Sequence, residues 1–392
     1  METQTIRKIL TRDFMLCFFA HFGFSFVLHS LMPTLPIYLS RLRSNEVDIG
    51  ILMGSFAVSA LFLRPFVGRA LVRIPEKNFM IAGAFLYVLT SAAYLFAPPF
   101  WPFLIVRVFQ GIGFALFHTA SFTLIANITS EANRGQSLSY FTLASTVSSA
   151  LGPPLGIFLI NHFGFTLLFP ACVGVSACSL LITSKLGARP VVSLRNPAAG
   201  DTFFSRQALP PAFIGFYCLF TWGTIATFFP LYALAHGMSN PGLFFTTVAI
   251  MLILCRILAG KVLDRYGRER ILPPSLTVCI ISMVALAFSK TIPMFVLVAV
   301  IWGIGYAFLM PLLLAYTVDR AGSSLGPAMG TFTAVSDLGL SLGPPIMGTI
   351  IYYTSYSIMF LCLALMGFLS LNYFLFFVKK KGWTPNDKHI SS

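Results

Sequence analysis

A small number of ionisable side chains interrupt the long apolar stretches of this sequence, and these residues could do chemistry. Asp337 is the one acidic residue of 12 that lies well inside an apolar stretch. A carboxylate at that depth is unfavourable unless it is protonated, paired or hydrated. We therefore expect Asp337 to carry a proton or to contact a substrate. The alternative is a structural acid that pairs with Arg256 or caps a neighbouring helix.

Three histidines form a second set of candidates. His21 and His29 lie in the first apolar stretch, and His118 lies in the fourth. Histidine changes charge near neutral pH, and His21 and His118 share one depth in their stretches. We expect these two to take part in proton coupling with Asp337. His29 shares another depth with Arg107 and is expected to line a substrate cavity. The alternative for each histidine is a packing residue with satisfied ring nitrogens.

Arg107 lies well inside the fourth apolar stretch, three positions before Gln110. An arginine within hydrocarbon costs about 2.5–3.5 kcal/mol on insertion scales, so it is expected to face a pathway or a partner. The alternative is a structural arginine bound to backbone carbonyls. Aromatic side chains complete the predicted cavity, because an aromatic pocket suits an amphipathic organic solute. The predicted cavity residues are His29, Arg107, Gln110, Tyr217, Trp222, Trp302 and Tyr306.

The composition indicates which elements must position these residues. Hydrophobic residues make up 57% of the chain and charged residues 10%, whereas a soluble domain carries about 25% charged residues. The apolar residues come in stretches of roughly 20 or more, the length that crosses about 30 Å of hydrocarbon as a helix. Strand alternation is absent. The sequence therefore predicts an all-α integral membrane protein.

Twelve membrane spans are predicted, and the basic residues between them set their orientation. The predicted spans are 14–39, 48–71, 79–98, 101–127, 137–161, 164–184, 210–235, 242–264, 271–289, 293–317, 328–352 and 355–378. Arginine and lysine gather in alternate connections and in the C-terminal tail. A basic excess marks the cytoplasmic side, so both termini are predicted to be cytoplasmic, in a bacterial cytoplasmic (inner) membrane. This topology also explains the net charge of +14, so no nucleic-acid partner is expected.

The two halves of the chain are repeats. Gly111-Ile-Gly-Phe-Ala returns 192 residues later as Gly303-Ile-Gly-Tyr-Ala, and Leu-Gly152-Pro-Pro returns 191 residues later as Leu-Gly343-Pro-Pro. Duplicated helical halves in a membrane are typical of a transporter with its site near the midplane, between the halves. The predicted organisation is an N-terminal six-helix half at 1–183, a cytoplasmic linker at 184–208, a C-terminal six-helix half at 209–378 and a cytoplasmic tail at 379–392.

Two further arginines hold equivalent positions in the repeats. Arg64 and Arg256 are 192 residues apart, each near the predicted cytoplasmic end of its span. Long basic side chains near a helix end can lay their stems along apolar surface and keep the charge at the lipid headgroups. We therefore expect both arginines to reach the membrane surface.

The loop after the eighth predicted span carries a recognisable motif. It reads Gly260-Lys-Val-Leu-Asp264-Arg265-Tyr-Gly267-Arg268 and resembles the loop signature of the major facilitator superfamily. The resemblance extends over essentially the whole chain and implies the twelve-helix fold of that superfamily. It also implies a conformational latch formed by this loop. The implied latch residues are Gly260, Asp264, Arg265, Gly267 and Arg268.

Two other motifs favour a proton-coupled branch of the superfamily. The run Arg107-Val-Phe-Gln-Gly-Ile-Gly resembles a motif of proton-coupled members, and Gly152-Pro-Pro-Leu-Gly resembles the motif of drug/proton antiporters. Small residues let helices approach closely, and proline bends a helix, so both copies of the Gly-Pro-Pro run are expected at a seam between the halves. The predicted seam residues are Gly152, Pro153, Pro154, Gly156, Gly339, Gly343, Pro344 and Pro345.

These observations predict a secondary transporter that exports a small organic solute in exchange for protons by alternating access. The solute is expected to be anionic, zwitterionic or neutral. Two alternatives stay open: a proton-coupled uptake symporter for a metabolite, and a membrane sensor or scaffold that transports nothing. No catalytic constellation, phosphate-binding loop or metal-ligand spacing occurs, so neither an enzyme nor a cofactor is predicted. The expected partners are the substrate, protons and lipid, and a monomer is expected.

Overall fold

The chain is all-helical in the part that its structure, a computed structural model, describes. The described residues are 10–130, 133–187, 205–266, 268–321 and 325–378, without the side chains of 256–269, 321–326 and 377–378. The first six helices are α1 (Arg12–Arg41), α2 (Glu46–Ala70), α3 (Glu76–Ala93), α4 (Trp101–Ile128), α5 (Arg134–His162) and α6 (Phe165–Ser184). The second six are α7 (Leu209–Ala235), α8 (Gly242–Tyr266), α9 (Arg268–Phe288), α10 (Ile292–Ala321), α11 (Leu325–Tyr353) and α12 (Tyr356–Tyr373). A 3₁₀ turn, Arg206–Ala208, precedes α7, and a π-helical segment, Phe374–Val378, follows α12.

Ten helices in the described residues are long and apolar enough to cross a membrane. This confirms an all-α, multi-pass membrane protein. Two of the twelve predicted spans are not among the ten. In α8, the described apolar segment is Gly242–Cys255, which is too short to cross a membrane by itself. Helix α3 begins with the polar residues Glu76, Lys77 and Asn78. The third predicted span also runs past the end of α3 at Ala93, because the apolar run continues where the helix has already ended.

The helices begin where side chains can satisfy free backbone donors. Thr11, Asn45 and Ser355 accept a hydrogen bond from the backbone N–H three residues further on and so cap α1, α2 and α12. Prolines lie inside α1, α5 and α11, and each removes one backbone hydrogen bond from its helix.

The second six helices repeat the packing of the first six. In the first half α1 packs on α5, α2 and α3 pack on α4, and α3 packs on α6. In the second half α7 packs on α11, α8 and α9 pack on α10, and α9 packs on α12. Each pair in the second half corresponds to a pair six helices earlier. The sequence repeat is therefore also a repeat of the packing.

The two halves meet along two main seams that are related by the same repeat, and α1 also contacts α7. Helix α2 packs on α11, and α5 packs on α8. We call the end of the bundle where α1 begins the basic end, because Arg69, Arg73 and Lys77 lie there, and the other end the far end. A Cβ atom at Gly50 would collide with the backbone of Pro344, and one at Gly242 would collide with Pro154. Both seams are thus in tight contact near the far end.

Prolines in α5 release a backbone carbonyl that the other half uses. Pro154 has no N–H to donate, so the carbonyl of Ala150, one turn earlier, loses its helical partner. The hydroxyl of Thr246 in α8 donates to that carbonyl across the seam at 2.7 Å. In the other seam, Pro345 releases the carbonyl of Ser341 in the same way, and Gly54 approaches it closely. The prolines therefore supply acceptors as well as bends.

Replacing Thr246 with valine is expected to weaken the α5–α8 seam. The substitution keeps the shape of the side chain but leaves the Ala150 carbonyl without its donor, which costs about 1–3 kcal/mol. Hydrogen–deuterium exchange of the peptides that contain Ala150 and Thr246 should become faster. The neighbouring Thr247→Val is the matched control, since the Thr247 hydroxyl bonds only within α8. Equal exchange in the two variants would contradict this role of Thr246.

Candidate functional site

Asp337 pairs with an arginine from the other half of the molecule. Its carboxylate accepts a hydrogen bond from Nη1 of Arg64 and forms a salt bridge with it. The Arg64 side chain is 28% exposed and the Asp337 side chain 14% exposed, so the pair is not fully enclosed by protein. The expectation that Arg64 extends to the lipid surface is therefore wrong. The described partner of Asp337 is Arg64, and the side chain of Arg256, the partner suggested by the sequence, lies outside the described residues.

Aromatic rings connect this ion pair to two of the predicted histidines. The Arg64 guanidinium lies 5.3 Å from the ring centroid of Phe114, and the rings of Phe114 and His118 are 4.8 Å apart. His118 in turn lies 5.6 Å from His21. The structure thus brings Asp337, His118 and His21 into one continuous row that starts on α11 and ends on α1.

The hydrogen bonds of His21 fit a neutral imidazole. The ring is buried, with Nδ1 3.1 Å from Ser121 Oγ and Nε2 2.8 Å from Ser145 Oγ. Ser121 Oγ donates to the carbonyl of His118, so His21 Nδ1 donates to Ser121, and Nε2 accepts from Ser145. Both ring nitrogens are satisfied, as in a packing residue. No described side chain hydrogen-bonds the ring of His118, which makes His118 the better candidate for taking up a proton.

Arg107 is bound to its own half of the molecule. Its Nε donates to the carbonyl of Leu52 at 3.1 Å, and its Nη2 donates to the carbonyl of Met53 at 3.0 Å. Its Nη1 donates to Gln110 Oε1 at 2.7 Å, and that oxygen also accepts from the hydroxyl of Tyr94 at 2.6 Å. Arg107 therefore joins α4 to α2. This geometry fits the alternative in which Arg107 is a structural residue bound to backbone carbonyls. Part of its side chain lines the space between the halves.

Three of the four predicted aromatic cavity residues form one cluster in the second half. Trp222 stacks on Trp302 with centroids 5.6 Å apart and on Tyr306 at 6.0 Å. Trp302 is buried, and the other two are half-buried. Tyr217 is not part of this cluster. Its hydroxyl lies where a Cβ atom of Gly367 would be, so Tyr217 packs inside its own half between α7 and α12, and its assignment to a cavity is wrong.

The predicted seam glycines face inward within each half. A Cβ atom at Gly152 would lie 2.9 Å from His29 Cβ in α1, and one at Gly343 would lie 2.5 Å from the carbonyl of Phe220 in α7. Gly156 and Gly339 likewise face α1 and α7. Their assignment to the seam between the halves is wrong, because each helix turns its glycines toward the first helix of its own half.

The predicted seam prolines do face the other half. Pro153 and Pro154 lie against Gly242, and Pro344 and Pro345 lie against Gly50. A narrow cavity of about 40 Å³ lies beside this α2–α11 contact, which is room for one or two water molecules. The cavity is lined by Leu28, Met32, Phe56, Arg107, Thr227 and Leu340, among others.

Two other groups of predicted residues do not join the site. His29 hydrogen-bonds the carbonyl of Ser25 in its own helix at 2.8 Å and packs against α5, so it does not contact Arg107 in the described interactions. The structure does not describe the side chains of the predicted latch. It describes only the helical backbone at Gly260, Asp264, Arg265 and Arg268, and Gly267 is not described.

The fold and the site together define a class of protein. Two six-helix halves with the same packing order meet at two seams, and a partly exposed ion pair joins them. Ionisable residues inside apolar helix bundles mark substrate or ion pathways, and duplicated halves of this kind are typical of membrane transporters. The molecule is thus built as a transporter rather than as an enzyme.

The chain belongs to the Major Facilitator Superfamily, whose family model matches residues 14–325 and 241–390. It is 23% identical to the staphylopine export protein of Staphylococcus aureus strain Mu50, over 81% of this chain and 83% of that protein. It is also 23% identical to multidrug resistance protein 2 of Bacillus subtilis strain 168, over 88% and 89%. The crystal structure of the nucleoside transporter NupG matches with a TM-score of 0.78 at 15% identity, over 93% of this chain and 98% of that chain. The resemblance drawn from the sequence motifs is confirmed.

Replacing Arg107 with lysine tests whether its role is structural. Lysine keeps the charge but lacks the planar fork that reaches two carbonyls and Gln110 together. We expect the Arg107→Lys protein to lose about 1–3 kcal/mol of stability, seen as a lower temperature of thermal unfolding in detergent. Arg41→Lys, at an exposed position, is the control. An Arg107→Lys variant as stable as the parent would show that charge alone matters at this position.

Proposed function

We propose that this protein is a secondary active transporter that exports a small organic solute in exchange for protons. In this proposal all twelve helices span the cytoplasmic membrane of a bacterium, with both termini in the cytoplasm, and a single chain is the working unit. The basic end then faces the cytoplasm, which the excess of arginine and lysine in its connections supports. The seams touch near the far end, so the site between the halves would open toward the cytoplasm.

The observation that carries the proposal is the Arg64–Asp337 ion pair. This salt bridge joins α2 of one half to α11 of the other, and it is partly exposed. A proton taken up by Asp337 removes the charge that holds Arg64. The contact between the halves at this point would then weaken, and the balance between the two facing states would shift. Asp337 is therefore the proposed proton carrier, and His118, one ring away from Arg64, is the second candidate.

The direction of transport is proposed from the relatives. The staphylopine export protein and multidrug resistance protein 2 are named for export and resistance, and so is quinolone resistance protein NorA of Staphylococcus aureus strain COL, at 21% identity. These names favour efflux over uptake. The stacked Trp222, Trp302 and Tyr306 would offer an aromatic surface to the solute. The uptake symporter remains the outcome that the following experiment would reveal if efflux is wrong.

Replacing Asp337 with asparagine is expected to abolish proton-coupled export. The amide keeps the size of the side chain but carries no ionisable proton, so the proton gradient no longer drives the cycle. Small molecules are compared inside and outside host cells that lack the protein, overproduce it, or overproduce Asp337→Asn at matched membrane levels. We expect at least one compound to be enriched in the medium only with the parent protein, by about tenfold or more over the variant.

Asp48→Asn is the control for this comparison, because Asp48 lies in the first turn of α2 at the far end. It should export like the parent. If Asp337→Asn exported like the parent, Asp337 would have no coupling role and His118 would be tested next. Enrichment inside the cells that carry the parent protein would contradict export and favour the symporter.

A further inference from the structure

The Arg64–Asp337 pair offers one cation and one anion, both partly exposed, at the same place between the two halves. The Arg64 side chain is 28% exposed and the Asp337 side chain is 14% exposed. The guanidinium lies 5.3 Å from the ring centroid of Phe114, so one side of the pair is held against an aromatic surface. A solute can therefore reach the pair. The Phe114 ring holds the Arg64 guanidinium by a cation–π contact, which leaves the positive charge available to an anionic group.

The packing of the seam does not itself require this pair. The repeat relates Arg64 to Arg256 and Asp337 to Thr146, at the offsets of 192 and 191 that relate the glycine and proline motifs. The α5–α8 seam thus has a hydroxyl at the position of the carboxylate. It nevertheless packs as its counterpart does, with Gly242 against Pro154 as Gly50 is against Pro344. An acid on one seam only indicates a role beyond holding the halves together.

The charge balance of the pair selects one class of solute. A cationic solute bound to Asp337 would leave Arg64 without a counterion, and an anionic solute bound to Arg64 would leave Asp337 without one. An uncompensated charge in an apolar surrounding is strongly unfavourable. A solute with both an ammonium group and a carboxylate replaces each partner with a group of the same sign. Both protein charges then remain paired, and both new contacts are charge-assisted hydrogen bonds.

We propose that Arg64 and Asp337 form the binding site for a zwitterionic organic solute, which enters between them with its ammonium group on Asp337 and its carboxylate on Arg64. The inference rests on the proposed transport function and names its substrate class. Insertion separates α2 from α11 at this level of the seam. Substrate binding and the opening of the contact between the halves are then one event.

The same geometry makes binding of the solute and binding of a proton exclusive. The ammonium group needs the ionised carboxylate of Asp337, and protonation of that carboxylate removes its partner. Among the described groups near the pair, α2 contributes Arg64 and α4 contributes His118 beyond Phe114. Helix α7 presents Phe216 and Phe220 to α11 near Gly339, and these residues do not titrate. In α10, the ionisable residues Asp319 and Arg320 lie in the last turn of the helix, at the basic end of the bundle. Exclusive binding is what an exchange of solute for protons requires.

Binding is tested on the full-length protein purified in detergent, by the increase in unfolding temperature that a solute causes. The probes are phenylalanine, tryptophan, leucine and diphenylalanine, which are zwitterions. Each is compared with its C-terminal amide, which keeps only the cation, and with its N-acetyl form, which keeps only the anion. We expect stabilisation by one or more zwitterions and not by the corresponding derivatives. The apparent affinity should fall as the pH is lowered from about 8 to about 5, as the carboxylate becomes protonated.

Two variants and a matched control decide whether the pair is the site. Arg64→Gln and Asp337→Asn should each weaken the apparent affinity at least about tenfold, and Asp337→Asn should also remove its pH dependence. Arg41→Gln should bind like the parent, although its guanidinium also lies 5.3 Å from an aromatic centroid, that of Phe165. A purely structural pair would lower the unfolding temperature without changing the solute-induced increase at each pH.

Several outcomes would overturn the inference. They are stabilisation by the amide or N-acetyl forms equal to that by the zwitterions, stabilisation by no probe in the panel, and unchanged affinity in both variants. Because binding is measured without a gradient, the result is separate from that of the export experiment. Zwitterion binding without proton-driven export would contradict the proposed antiport alone, and export of a singly charged solute would contradict the assigned substrate class alone.

Discussion

A charge inside an apolar helix bundle must find a partner there, because no bulk water is at hand to solvate it. Two arginines meet this constraint in different ways. Arg107 uses the carbonyls of Leu52 and Met53 and the side chain of Gln110, all within its own half. Arg64 uses a carboxylate from the other half. The first arrangement joins α2 to α4 within one half, whereas the second joins the two halves and therefore depends on their relative position.

The repeat explains the shape of the molecule, and its exceptions indicate the function. The packing pairs of one half recur in the other, and each seam places a proline pair against a glycine. The polar network around Arg107 does not recur. Positions equivalent to Arg107 and Gln110 hold Ala299 and Trp302, so one half presents a hydrogen-bonded network where the other presents stacked rings. A symmetric scaffold that carries an asymmetric lining can change its facing direction and still bind an asymmetric solute.

Much of the fold could be predicted from the sequence, because hydrophobic length and internal repeats are local or periodic signals. The candidate site was harder to predict from the sequence. The partner of Asp337 was missed because Arg64 is 273 residues away and its position near a helix end favoured contact with lipid. One signal was present: Gly50 and Gly54 on α2 and Ser341 and Pro345 on α11 recur at four-residue spacing, which places one face of each helix in contact and continues toward Arg64 and Asp337. The orientation of the glycines could not be inferred, since proline and glycine at adjacent positions point in different directions around a helix.

The prolines connect these observations, since they lie in both seams and leave backbone carbonyls there without helical donors. A proline pair in mid-helix leaves two carbonyls without helical donors, and a carbonyl in an apolar surrounding needs a new partner. One seam provides the hydroxyl of Thr246 and the other only the close approach of Gly54. The α2–α11 seam therefore has the weaker hydrogen bonding at this level, and it is the seam that contains the Arg64–Asp337 pair. The α2–α11 contact is nevertheless the more extensive of the two seams, so in the proposed function a solute or a proton that breaks the Arg64–Asp337 pair would act on the larger contact between the halves.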